Sequence, residues 1–437
     1  MNRRDFSKHA FSQLLLLSAA QTARSEDLSD FAGSKHLPTL QGHTTATTAQ
    51  FSILVPLHIE CQFFARANGN IHVTPSAIEV TTYSNSKYKL VTVEFEDLSL
   101  QIEYQLVAID SKEKEIDRRF FKTLDLNKPQ ARVALISCYF DGLHDERIWQ
   151  SLFAQSPDVI VSLGDAVYVD GTIKNIIGGQ PVKEKDIWRR YCQARQRLYL
   201  YKSPRLIPTW AVWDDHDYGQ NNEDKNFPLK EFSSKVFSRF FFQNARDPYL
   251  VNGPGLSKLY HAFGQQFYLL DGRSFREKKK DGGTSPLGQE QEAWLFSQLE
   301  KYSSPAWLLL GTQWFGIHGT GESFENYDEC FKVFINRLKD TGAKVLFGSG
   351  DVHYSEVMQI PKEYLGYETI EVTSSSMHSL KSKPRANPRR LEGCSTSTHN
   401  YVLLDLDLGR DSHSLTTLVT SISARAREFE TFFCLDI

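Results

Sequence analysis

Five short apolar runs, at residues 133–136, 159–163, 210–213, 307–310 and 345–347, each stop at polar or glycine-containing turns, and this punctuation constrains the fold more than any other feature. A nearly continuous apolar run leaves no polar face, so it reads as a strand buried on both sides. Such strands need covering layers, and helical stretches such as 290–301 and 331–339 lie between them. The larger part of the chain is therefore expected to be an α/β domain with a layered core. Chemistry in such domains gathers just outside the carboxyl ends of the strands.

The first run is followed by Ser137, Cys138, Tyr139, Phe140 and Asp141, and the second by Gly164, Asp165, Ala166, Val167, Tyr168, Val169 and Asp170. After the third come Asp214, Asp215, His216, Asp217, Asn221 and Asn222, and a later run leads to Gly350, Asp351, Val352 and His353. Burying so many acids together without counter-charge is costly, and no matching set of Lys or Arg follows the strands. A multivalent cation is the economical partner. Donors that are mostly oxygen, with some nitrogen and one sulfur, suggest a transition metal beside a harder cation.

Each residue also has a plain reading. Cys138 alone is a small buried apolar residue, Asp165 a cap for the following turn, and Tyr168 a packed aromatic. Asp214 and Asp215 include a helix cap in the same plain sense. Asp351 and His353, two apart on a strand or its end, are expected to point to one face. The joint pattern at four strand ends outweighs any single member.

The earlier part of the chain has a different rhythm. Residues 51–57, 61–67, 77–83, 89–95, 102–109 and 118–123 are short alternating segments separated by turn residues. That is the pattern of a small all-β sandwich, expected here to be immunoglobulin-like or fibronectin-like. The alternative is an extended N-terminal sheet of the main domain. The expected boundaries are 45–127 for the sandwich and 130–437 for the α/β domain.

At the start, Arg3 and Arg4 precede Asp5, Phe6 and Lys8, then an apolar stretch centred on residues 14–17 and the small residues Ser18, Ala19 and Ala20. This reads as a signal peptide within residues 1–25, of the twin-arginine type that exports folded proteins. The plainer alternative is an N-terminal helix that carries two arginines. The expected partner is the twin-arginine export machinery, and the destination the periplasm or the cell exterior. Elsewhere no apolar run is long enough to span a membrane stably. With Lys+Arg 50 against Asp+Glu 53, a formal net charge of −3 argues against a general nucleic-acid binder. The six cysteines are scattered and include no CxxC.

Taken in order, Ser137-Cys138, Gly164-Asp165-Ala166-Val167-Tyr168, Trp213-Asp214-Asp215-His216-Asp217, residues 270–276, residues 287–291 and Ser349-Gly350-Asp351-Val352-His353 resemble the PhoD-like, or alkaline phosphatase D, family of the calcineurin-like metallophosphatase superfamily. The resemblance covers most of residues 133–376. It implies a four-layer α/β/β/α metallophosphatase domain preceded by the small sandwich. It also implies an iron(III) centre, Fe(III), paired with calcium, Ca(II), or another divalent metal. Carried over position by position, Cys138, Asp165, Tyr168 and His353 would hold the iron, with Asp165 bridging. Asp215, Asp351 and an amide from Asn221 or Asn222 would hold the second ion.

The chain departs from the wider superfamily in three places. Cys138 stands where an Asp-x-His pair is usual, Asp214-Asp215-His216 replaces Gly-Asn-His, and Gly350-Asp351-Val352-His353 replaces Gly-His-x-His. These are the changes expected of the PhoD-like branch.

The implied activity is an exported metal-dependent phosphodiesterase or alkaline phosphatase that hydrolyses small-molecule or polymer phosphate esters by attack of a metal-bound hydroxide. His216 would stabilise charge or protonate the leaving alkoxide; the alternative is a structural histidine satisfied by Asp217. Arg273 is a candidate phosphate clamp, its fork matching phosphate oxygens, or else a plain surface salt bridge. The basic stretch Lys381, Lys383, Arg385, Arg389 and Arg390 is read as a solvated loop, with steering of an anionic substrate as the other reading. The rival functions are a phospholipid or cell-wall polymer hydrolase, and a noncatalytic envelope-binding protein on the same fold.

Overall fold

Alternating segments near the start of the chain pair into two antiparallel sheets. The computed structural model describes residues 36–67, 71–100, 102–171, 181–278, 285–316, 322–409 and 413–437. The expected signal peptide at 1–25 lies outside them. Strands β1 (Thr39–Thr44), β2 (Ala49–Pro56), β3 (Cys61–Ala67), β4 (Ile71–Val73), β5 (Ala77–Thr82), β6 (Tyr88–Phe95), β7 (Glu103–Asp110) and β8 (Glu115–Lys122) form sheets ordered β1-β2-β6-β5 and β4-β3-β7-β8. The sheets meet through aromatic rings, with Phe51 of β2 edge-on to Phe121 of β8 at 4.9 Å. Strand β1 has no counterpart in the sequence reading. Its TLQGHT sequence is polar yet fully buried, with Gln41 donating to the Lys122 carbonyl and His43 paired to Asp247, so it carries no hydrophobic alternation.

The apolar runs then form the cores of two larger sheets. Strands β9 (Gln130–Ile136), β10 (Val159–Leu163) and β11 (Thr209–Val212) are parallel neighbours. An eight-stranded sheet follows from β12 (Leu250–Asn252), β13 (Lys258–Ala262), β14 (Gln265–Leu269), β15 (Ala306–Leu309), β16 (Val345–Ser349), β17 (Ser355–Ile360), β18 (Thr369–Thr373) and β19 (Arg390–Thr396). Within it β14, β15, β16 and β18 run parallel. The chain returns in β20 (Asn400–Leu408), β21 (Ser414–Ser423) and β22 (Arg427–Asp436), which add antiparallel to β9 and complete a six-stranded sheet.

Side-chain alternation sorts the layers. Phe267, Leu269, Trp307, Leu309 and Leu346 point from the eight-stranded sheet into the cluster shared with the six-stranded one. Trp210 stacks there on Tyr260 at 4.2 Å. The intervening Tyr268, Leu308, Val345 and Phe347 face the opposite way, against Leu295, Phe296 and Leu299 and against Phe331, Phe334 and Leu338. Those residues belong to helices at Gln289–Lys301 and Asp328–Asp340. The second helix has its apolar residues at helical spacing, acids in its first turn and Arg337 and Lys339 in its last, matching the helix dipole. Helices at Glu146–Ala154 and Glu184–Arg197 cover the six-stranded sheet through Trp149, Leu152, Ile187 and Tyr191. The result is the four-layer α/β/β/α arrangement. Burying each large apolar side chain contributes about 1.5–3 kcal/mol, and Trp210→Ala, at the centre, would cost roughly 3–5 kcal/mol.

Candidate metal centre

The carboxyl ends of β9, β10, β11, β16 and β18 converge, and hydrogen bonds hold the two large sheets in register there. Ser137 Oγ donates to the Ser374 carbonyl at 2.7 Å, and Ser374 Oγ to the Leu135 carbonyl at 2.7 Å. The glycines of the two Gly-Asp pairs explain themselves sterically. A Cβ on Gly164 would sit 2.4 Å from Cβ of Asp214, and one on Gly350 would sit 2.7 Å from the Leu163 carbonyl oxygen.

Two donor groups result, and they share a residue. Ligand atoms of Cys138, Asp165 and His353 lie within 4.8 Å of one another, as do those of Asp165, Asp215 and His216. Cys138 Sγ and Tyr168 Oη are each 3.5 Å from Asp165 Oδ2, at the limit of hydrogen bonding and crowded around one locus. Tyr168 also hydrogen-bonds Ser379 Oγ at 2.9 Å, and its ring stacks on His216 at 4.3 Å.

The backbone is unusual at the same places. Among the described residues eleven non-glycine positions have positive φ, and five of them are Cys138 (52°), Asp165 (54°), Asn222 (60°), Asp351 (67°) and His353 (61°). Such conformations cost about 1–3 kcal/mol each and cluster where function requires them. They also remove the strand alternation on which a shared face for Asp351 and His353 was expected. Both residues lie beyond β16 in left-handed backbone. His353 joins Cys138 and Asp165, whereas the Asp351 carboxyl answers electrostatically to Asp214 and Asp215.

The remaining site residues fall out as follows. Asp215 accepts the backbone N–H of Asn222 at 2.7 Å. Asn221 and Asn222 are exposed, and it is the Asn222 backbone that reaches the cluster. Asp214 precedes the short helix Asp215–Tyr218, its N–H donating to Asp217 Oδ2 at 3.0 Å, and its own Oδ1 takes the Nε–H of Arg273 at 2.5 Å. Arg273 is fully buried rather than at the surface, with Nη1 2.8 Å from Glu322 and Nη2 3.9 Å from Asp215. It supplies counter-charge that the strand-end sequences alone did not reveal. His216 pairs through Nδ1 with Asp170 at 2.9 Å. Asp217, the partner weighed from sequence, instead accepts the N–H groups of Val167 and Asp214.

Two neighbours of these residues, Asp170 beside His216 and Glu322 beside Arg273, had no role in the sequence reading. Asp170 stood in the strand-end string without an assignment, and Glu322 lies outside every motif. In the basic stretch, Arg389 chelates Glu325 at 2.8 Å to both oxygens and Arg390 pairs with the buried Glu356. Lys381, Lys383 and Arg385 remain exposed.

The electrostatics favour a bound cation. Burial pushes the Asp165 carboxyl well above its ordinary range against the pull of His216, and burial followed by Asp165 does the same to the Cys138 thiol and Tyr168 phenol. Burial, with Asp214 and Asp215, raises Asp351 to about 8. Burial, then His216, lowers His353 to about 4, leaving it neutral. Burial works against ionised Asp215 too, but Arg273, His216 and the Asn222 N–H hold its carboxyl below the usual range. Burial likewise opposes protonated His216, yet Asp215, Asp170 and Asp165 lift it well above its ordinary value. Asp214 Oδ2, Asp170 Oδ1 and Arg273 Nη2 are buried without a hydrogen-bond partner. A carboxyl, a thiol, a phenol and a neutral imidazole whose ionisation is opposed chiefly by burial and then by neighbouring charge are a donor set that fits a multivalent ion, which would hold the acids deprotonated.

Comparison with known proteins gives three findings. The model of the family described as PhoD-like phosphatase matches residues 134–405. Alkaline phosphatase D of Bacillus subtilis (strain 168) is 26% identical over 276 residues, 52% of this chain and 47% of that protein, so the match spans about half of the relative. A solved structure described as "Structure of PhoD" superposes with a TM-score of 0.71 at 17% identity, covering 95% of this chain and 92% of the other. At that identity the superposition speaks to the fold.

Proposed function

This chain belongs to the PhoD-like phosphatase family, and from that premise we propose that it is an exported, metal-dependent hydrolase of phosphate esters, a phosphodiesterase or alkaline phosphatase. The observation that carries this reading is the double membership of Asp165, whose carboxylate groups with Cys138 and His353 on one side and with Asp215 and His216 on the other, the donor atoms of each group lying within 4.8 Å of one another. Cys138, Asp165, Tyr168 and His353 would hold iron(III). Asp215, Asp351 and an amide of Asn221 or Asn222 would hold calcium or another divalent ion. When bound, the pair supplies Lewis acidity for the phosphate oxygens and lowers the pKa of a nearby water.

The chain's own residues do the rest. His216, aligned by Asp170, holds a proton at its other ring nitrogen for the leaving alkoxide. The buried position of Arg273 favours balancing Asp214 and Asp215 over direct contact with phosphate. Arg3, Arg4 and the apolar stretch after them support twin-arginine export to the periplasm or exterior. No helix of the described residues is long and apolar enough to cross a membrane.

The test is the ratio of kcat/KM for an aryl phosphodiester and its monoester, on protein loaded with iron and calcium. Turnover of either ester is expected, and the ratio identifies the preferred class. Absence of turnover from protein holding both metals would contradict the hydrolase reading and favour a noncatalytic binding protein.

A further inference from the structure

One buried hydroxyl joins two of the ligand residues. Ser375 Oγ donates to Cys138 Sγ at 3.3 Å and accepts the backbone N–H of His353 at 3.0 Å. Ser137 Oγ is also 3.3 Å from the sulfur, but its single proton has a shorter oxygen acceptor, the Ser374 carbonyl at 2.7 Å. The Ser375 proton has no such rival, because the other contact of that hydroxyl is one in which it accepts. Ser375 and Cys138 are both fully buried, so water does not compete for the bond. The serine is itself held in place: its N–H donates to Ser355 Oγ at 2.9 Å, and Ser355 Oγ is anchored on Asn400 Oδ1 at 2.7 Å.

We propose that Ser375 is a positioning and tuning residue of the metal centre, its O–H withdrawing charge from the Cys138 thiolate while its oxygen fixes the left-handed turn that presents His353. This rests on the reading of Cys138 and His353 as ligands. A hydrogen bond to a ligating sulfur lowers the energy of its lone pairs and weakens donation to the ion, which raises the reduction potential of the metal. The same bond moves sulfur-to-metal charge transfer to higher energy. Ser375 lies outside every sequence motif identified above, in the turn that follows β18.

The experiment loads the full chain and its variants with iron(III), measures iron content, and records charge-transfer absorption and midpoint potential. Cys138→Ala identifies the sulfur band. Ser375→Ala is expected to move that band to longer wavelength and the potential to more negative values, or to lose iron altogether. Ser375→Thr, which keeps the hydroxyl, is expected to match the parent, and Ser137→Ala to shift less than Ser375→Ala. Should Ser375→Ala not fold, Ser375→Cys, a weaker donor, is expected to give a smaller shift in the same direction. A band and potential unmoved in Ser375→Ala, or in Ser375→Cys where that stands in for it, overturn the inference. So does a Ser375→Thr that behaves like the alanine variant. A parent protein whose spectrum is unchanged by Cys138→Ala overturns the ligand reading itself, and the two failures are thereby distinct.

Discussion

Nδ1 of His216 lies 2.9 Å from Oδ2 of Asp170, and both side chains are buried. The carboxylate fixes the ring's orientation and favours its protonated form, which suits a group that delivers a proton. Asp170→Asn keeps an acceptor but removes the charge. The expected outcome is a fall in kcat of roughly 10²-fold with KM nearly unchanged, because the lost interaction matters when charge develops on the leaving group. Steady-state kinetics check it, and an unchanged kcat would make His216 a structural residue.

Asp217 offers the matching contrast. It accepts backbone N–H groups from Val167 and Asp214 and so holds the two loops together. Asp217→Ala leaves buried donors unpaired and is expected to cost about 1–3 kcal/mol for each. Urea unfolding measures this.

Arg273 is expected to behave as a buried counter-ion. Its guanidinium bridges Asp214 and Glu322 with none of its side chain exposed. Arg273→Met strands those carboxylates and should destabilise by about 3–5 kcal/mol, since a buried pair broken on one side leaves an uncompensated charge. A variant of full stability and poor KM would instead return Arg273 to the role of phosphate clamp.

The contrast between these residues explains what the sequence made legible. Strands β10 and β16 announce themselves because they are mostly apolar and fully buried, and the acids after them stand out against that background. The pairs that organise the site are set by tertiary approach: Asp170 and His216 are 46 residues apart, and Asp214 and Arg273 are 59 apart. No local period encodes such separations. Strand β21 was missed because its alternation is carried largely by Ser and Thr, a weak signal beside the Val and Leu of β10. Strand alternation, the ground on which a shared face for Asp351 and His353 was expected, does not apply to them, since it holds only while the backbone stays extended and both residues have positive φ.

His378 gives a pH prediction away from catalysis. Its Nε2 accepts the indole N–H of Trp149 at 2.8 Å, and its Nδ1 faces the Phe140 carbonyl at 3.2 Å, so the neutral Nδ1–H tautomer satisfies both contacts. Burial, then His144, lowers the ring from its ordinary 6.5 to about 3. Between those values the unfolded chain binds a proton that the folded chain refuses. The stabilising contribution is therefore complete above about pH 6.5 and is lost as pH falls toward about 3. The stability advantage over His378→Gln should shrink in that window by up to about 1.4 kcal/mol per pH unit. Urea unfolding of both proteins across the window tests this, and an advantage that is constant or grows on acidification would contradict it.

The central claim is that Asp165 serves two metal positions at once, and the measurement that tests it most directly is the metal content per chain of the parent and of Asp165→Asn, after loading with iron and calcium under identical conditions. The account predicts that both metals are depleted together in the folded variant, with loss of phosphate ester turnover. A variant that retains both metals, or loses only one, would contradict it.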